Sequence, residues 1–286
     1  MKKLFLLSIC ILLSGITNIL SSQTNMIDIN LISNGNKLNA HIYLSETDYS
    51  SPTLILMHGY PGGEGDPLGL GKRLSALGIN VLIFNYQGTW SSEGEFSFES
   101  SMEDAGNAIK FLKEKENIEK FKIDTSNIVL GGYSYGGAMA LTAAIYNPEI
   151  NRLVSIAGPD ESVFGRKMLA DQNFRNIFQQ MLSESYYPNG PIKGDFEAQI
   201  TFWLSNLDRY DLVLNADSLK SKDILLIGGW NDNSVIMEEH LIPLYRKLQY
   251  LNTNKFEIMA FNTDHSFRNA REELTETIYR WMINEK

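Results

Sequence analysis

From Met26 onward the apolar residues switch repeatedly between two spacings. Met26 to Ile32 alternates, with Ile27, Ile29 and Leu31 on one side, and Leu38 to Leu44 alternates through Leu38, Ala40, Ile42 and Leu44. A period of two predicts half-buried strands, and the Asn34-Gly35 pair between them predicts a tight hairpin. Six apolar-rich runs follow: Thr53 to Met57, Asn80 to Phe84, Asn127 to Leu130, Arg152 to Ala157, Ile224 to Ile227 and Phe256 to Ala260. The first three predict strands buried on both faces, and the other three predict further strands. Between them lie helical patterns at Leu70 to Leu77, Met102 to Leu112, Ala138 to Tyr146, His240 to Leu251 and Glu272 to Met282. Strands alternating with helices predict an α/β fold, a mostly parallel eight-stranded sheet with helices on both faces, and the hairpin extends one edge.

One connection is out of proportion. Pro159 to Lys222 is far longer than an ordinary sheet crossover, and it leaves at a strand end, where ligands bind in such sheets. Phe174 to Leu182 and Phe196 to Leu207 read as helices, so residues 159–222 are expected to form a helical cap inserted into a core of residues 23–158 and 223–286.

The strongest chemical signal is Gly132-Tyr133-Ser134-Tyr135-Gly136. It lies between a predicted strand and a predicted helix, the setting of a nucleophile elbow. The turn forces strained angles on Ser134 and brings its neighbours too close for side chains, which Gly132 and Gly136 lack. The following helix also aims the positive end of its dipole at an oxyanion formed there.

Composition narrows the field. An apolar fraction of 43% suits a folded core, and a formal charge of −9 leaves no basic footprint for nucleic acid. Lys2 and Lys3 precede an apolar run from Leu4 to Leu13, with Ser21 and Ser22 before Gln23. That order predicts a secretory signal peptide over residues 1–22, hence a secreted or periplasmic protein with no stable membrane insertion after its removal. The single cysteine, Cys10, falls inside that signal, so the mature chain is expected to hold no disulfide and no thiolate.

The element order, the elbow and His58-Gly59-Tyr60-Pro61 together resemble the α/β-hydrolase superfamily, in particular the dienelactone-hydrolase and prolyl-oligopeptidase catalytic domains. The resemblance implies a Ser-acid-His order along the chain. Of the four histidines, His265 lies between the last strand and the last helix, where the family keeps its base. His41 is expected to face solvent from an edge strand, His58 to shape its loop, and His240, beside Glu238 and Glu239, to lie on the surface. Asp232 follows the strand Ile224 to Ile227 and matches the family's acid position. Asp264 is the rival, expected instead to cap the next helix or shape the turn, and Asp208, Asp211 and Asp217 read as surface or cap-hinge charges. The resemblance implies an oxyanion hole made by the amides of Tyr60 and Tyr135. The family's Asp-x-Arg-Gly-x-Gly-x-Ser loop appears here with Asn85 and Gln87 in place of the acid and the arginine, so this loop is assigned to structure.

These residues imply a serine hydrolase that cleaves carboxylic esters through an acyl-enzyme and uses no metal or cofactor. A peptidase or amidase is the alternative, and a catalytically inactive binding protein on the same fold is an alternative of another class. The dipeptidyl-peptidase branch is disfavoured, because the residues before Thr53 are too few for a propeller. The substrate is expected to be a small ester or a short peptide. Tyr186, Tyr187, Phe202 and Trp203 either line an acyl pocket or form the insertion's own core.

Overall fold

The computed structural model describes residues 26–252 and 255–284. The signal segment and Cys10 lie outside them. The strands are β1 (Met26–Ser33), β2 (Asn36–Tyr43), β3 (Ser51–Met57), β4 (Asn80–Phe84), β5 (Ile123–Tyr133), β6 (Arg152–Ile156), β7 (Asp223–Gly229) and β8 (Phe256–Phe261). The helices of the core are α1 (Leu70–Ala76), α2 (Phe98–Lys113), α3 (Lys115–Phe121) and α4 (Tyr135–Tyr146). The long connection holds α5 (Glu161–Ala170), α6 (Gln172–Ser183), α7 (Phe196–Ser205) and the single turn α8 (Ala216–Leu219). The chain closes with α9 (Met237–Tyr250) and α10 (Arg271–Ile283).

All eight strands join one sheet in the order β1-β2-β4-β3-β5-β6-β7-β8. β1 and β2 are antiparallel to their neighbours, and every other pairing is parallel. The hairpin pairs Ser33 with Asn36 across Asn34 and Gly35, both at positive φ (50° and 84°), the two-residue turn that matches strand twist. Adjacent residues of the central strands feed opposite cores. Ile55 and Met57 of β3 pack with α2 and α4, while Leu54 and Leu56 pack with Leu70 and Leu74 of α1 and Ile278 and Trp281 of α10. This two-sided burial explains the apolar-rich runs.

Three expectations change. His41 is buried, because β2 is an interior strand whose second face is covered by the turn before α1, where Tyr43 also packs. His240 is buried too, its ring 4.6 Å from that of Phe164 on α5, so its face of α9 meets the helices of the long connection, while Glu238 and Glu239 stay exposed. Asp211 is buried and pairs with Arg166 at 2.6 Å, whereas Asp208 and Asp217 are exposed. Helix α3 had no predicted counterpart: its short run shows only Ile118 and Phe121 as large apolar residues, too few for a periodic signal.

Candidate active site

The elbow is built by close packing. Ser134 sits at φ 54° and ψ −124°, a region that non-glycine residues reach only when the surroundings impose it. Its amide donates to Ile156 O at 2.8 Å, which pins the turn to β6. A Cβ on Gly132 would lie 2.3 Å from the carbonyl carbon of Gly136, and one on Gly136 would lie 2.4 Å from Met57 O. Neither contact is tolerable, so the two glycines are steric requirements of the turn.

β5, β7 and β8 carry the three candidate side chains to one end of the sheet. Ser134 ends β5, Asp232 lies in the turn after β7, and His265 lies in the turn after β8. Ser134 Oγ stands 3.0 Å from His265 Nε2, and His265 Nδ1 stands 2.6 Å from Asp232 Oδ2. The other carboxylate oxygen of Asp232 accepts from the amides of Ser234 and Val235, each at 2.8 Å. Burial works to raise the pKa of Asp232, but the bond from His265 and the two amides outweigh it and hold the carboxyl below its ordinary value. Asp232 therefore stays ionised and orients the imidazole with Nε2 free to take a proton from the serine. Asp264 turns away: its carboxylate accepts from Ser266 N at 3.1 Å and pairs with Arg268, so it shapes the turn, while the N-cap of α10 is Ala270.

The loop after β3 closes over the serine. A Cβ on Gly59 would meet Ser134 Cβ at 3.2 Å, so the loop that carries the amide of Tyr60 runs against Ser134. The amide of Tyr135 opens α4, and among the described residues neither amide is used in a turn or cap bond. The Tyr60–Pro61 peptide bond is cis. The rings of Tyr60 and Tyr135 pack edge to face with centroids 6.1 Å apart, and Tyr60 Oη donates to Leu182 O of α6 at 2.9 Å. The loop that carries Tyr60 is thus tied both to Tyr135 and to α6.

His58 contributes its carbonyl, which accepts from Tyr86 Oη at 2.6 Å, and burial pushes its imidazole pKa down to about 4. Gln87 donates from its side chain and backbone to buried Asp104, at 2.7 and 2.8 Å, and Asn85 Oδ1 accepts from Gly63 N. These contacts give the loop a structural part. Among the described residues there is no group of three or more His, Cys, Asp or Glu able to hold a metal ion.

Ser134 and His265 open into a cavity of about 590 Å³, walled on its other side by α5, α6 and α7. Of the four aromatic residues named from the sequence, Tyr186 and Trp203 line it, while Tyr187 and Phe202 are exposed elsewhere. Phe164, Phe174, Phe178 and Phe196 also line it. The four-residue spacing of Phe174 and Phe178 on α6 was a readable sign of a shared helix face. Glu161 had no such sign. It sits at the start of α5 with only 7% of its surface exposed, and burial, reinforced by the neighbouring Asp160 carboxylate, pushes its pKa up to about 8.

A mostly parallel sheet bearing a strained serine, a histidine and an acid at one of its ends has the arrangement of the α/β-hydrolase fold. The chain belongs to the Prolyl oligopeptidase family, whose pattern it matches over residues 72–285. It is 33% identical over 122 residues to a proline iminopeptidase of Saccharolobus solfataricus, covering 42% of this chain and 38% of that one. It is 29% identical over 135 residues to the quorum-quenching protein AidA of Acinetobacter baumannii, covering 46% of this chain and 42% of that one. The chain thus spans about two fifths of the length of these curated relatives. Among solved structures, an esterase of Pyrococcus furiosus shares the fold with a TM-score of 0.64 at 19% identity, over 91% of this chain and 90% of that one.

Proposed function

We propose that this hydrolase is exported and cleaves carboxylic esters through an acyl-enzyme, with Ser134 as nucleophile, His265 as base and acid, and Asp232 as its partner. The observation that carries this reading is the continuous Asp232–His265–Ser134 chain opening into an apolar cavity. Ser134 Oγ attacks the ester carbonyl as its proton passes to His265 Nε2, and the carbonyl oxygen becomes an oxyanion facing the amides of Tyr60 and Tyr135. Collapse breaks the bond to the alcohol, which leaves with the proton from His265. Water then repeats the sequence on the acyl-enzyme, releasing the acid and restoring the serine.

The phenylalanine lining supports an apolar acyl group over a peptide main chain, whose amides would lose water there without compensation. Residues 159–222 are assigned as the cap that selects that group. A panel of nitrophenyl esters of increasing acyl length, with aminoacyl amides alongside, tests both points. Wild type is expected to prefer esters and to discriminate by about 10-fold or more among acyl lengths. A folded variant with the segment replaced by a short Gly/Ser connection is expected to lose most of that discrimination. Faster cleavage of the amides would favour the peptidase reading, which membership of a peptidase family supports.

Export rests on the amino-terminal pattern alone. Protein recovered from a secreting host is expected to begin at Gln23, and mass spectrometry showing an intact amino terminus would refute it.

A further inference from the structure

The cavity beside Ser134 holds one buried carboxyl that the reaction does not use. Glu161 lines it and is more than nine-tenths buried, yet among the described residues its carboxyl accepts no hydrogen bond and pairs with no cation. Its neighbour Asp160 shows the contrast: that carboxylate accepts from Ser162 N, Ser162 Oγ and Leu212 N. A buried acid without a protein partner is costly, and it calls for a water, an ion or a ligand to complete it.

The surroundings favour a positive ligand. Glu239 of α9 lines the same cavity, and Asp160 adds a second negative charge beside Glu161. His240, also of α9, is kept neutral, its pKa pushed down to about 4 by burial. Lys167 is the one cation on the lining, and it lies over the ring of Phe174, 4.7 Å from its centroid, without an ion pair to Glu161. The aromatic walls offer negative ring faces to a cation as readily as apolar surface to a chain.

From this arrangement we propose that Glu161 anchors a protonated amine carried on the acyl part of the substrate. The inference rests on the ester reading above and narrows its substrate class: an apolar acyl chain ending in, or bearing, an ammonium group. Without a bound cation Glu161 holds its proton near neutrality; an incoming cation favours the ionised form, and the proton passes to solvent. One carboxylate then meets one ammonium out of water, with a charge-assisted hydrogen bond between them.

The test compares nitrophenyl esters of aminohexanoate, hydroxyhexanoate and heptanoate on wild type and on Glu161→Gln, which keeps the shape of the side chain and loses its charge. In wild type, kcat/KM for the amino ester is expected to exceed that for heptanoate by about 10-fold or more. In Glu161→Gln that ratio is expected to fall by about 10-fold. A wild-type preference for heptanoate or for hydroxyhexanoate overturns the proposal, as does a ratio that survives the substitution. Turnover of heptanoate reports separately on the ester reading. Should no ester be cut, or should the variant not fold, protection of wild-type Ser134 from a fluorophosphonate decides the matter: hexylamine should protect at lower concentration than hexanol, and equal protection overturns the anchor.

Discussion

Replacing Ser134 with alanine is expected to lower kcat on activated esters by at least about 10⁴-fold and to leave the melting temperature within a few degrees of wild type. The hydroxyl has one described partner, His265 Nε2 at 3.0 Å, and contributes no apolar packing. Its loss costs about 1 kcal/mol of stability or less, since the backbone strain at φ 54° is shared by serine and alanine. A fluorophosphonate should label wild type and not the variant. Equal labelling of both would place the nucleophile elsewhere, and no labelling of wild type would favour an inactive binding protein on this fold.

Asp232→Asn is expected to lower kcat by about 10³ to 10⁴-fold with little change in folding. The amides of Ser234 and Val235 hold an oxygen at the Oδ1 position, so an asparagine keeps its carbonyl there and turns its NH₂ toward His265 Nδ1. The ring must then accept at Nδ1 and carry its proton on Nε2, the wrong tautomer for taking a proton from Ser134. Asp264→Asn serves as the control, because that carboxylate serves only its own turn. Full activity in Asp232→Asn together with a large loss in Asp264→Asn would exchange their roles.

Much of this was legible in one dimension. The period of two in β1 and β2, the apolar runs within β3 to β8 and the glycine pattern around Ser134 are local consequences of how strands and tight turns are built. Ser134, Asp232 and His265 each follow a strand of a parallel sheet, so their convergence follows from chain order once the sheet is known. The turn His58-Gly59-Tyr60-Pro61 at the end of β3 was readable as well, but the oxyanion-hole role proposed for it came from the family resemblance and not from the turn itself.

The errors share one cause. His41, His240 and Asp211 sit among polar or alternating neighbours and read as surface, and each is buried by an element distant in sequence. His240 is covered by α5, seventy-odd positions earlier, and His41 by the turn before α1. Periodicity reports which face of an element is apolar, and not whether a second element covers the other face.

The sequence by itself determined the sheet, the elbow and the chain order of the three candidate side chains, because each depends on residues within one turn or one strand. Only the tertiary structure decided which aromatic residues of the insertion face Ser134, why Asp232 and not Asp264 meets His265, and that Glu161 lies buried and unpartnered in the cavity. Those facts depend on how separate elements pack, and packing sums contacts over distances along the chain that no local pattern records.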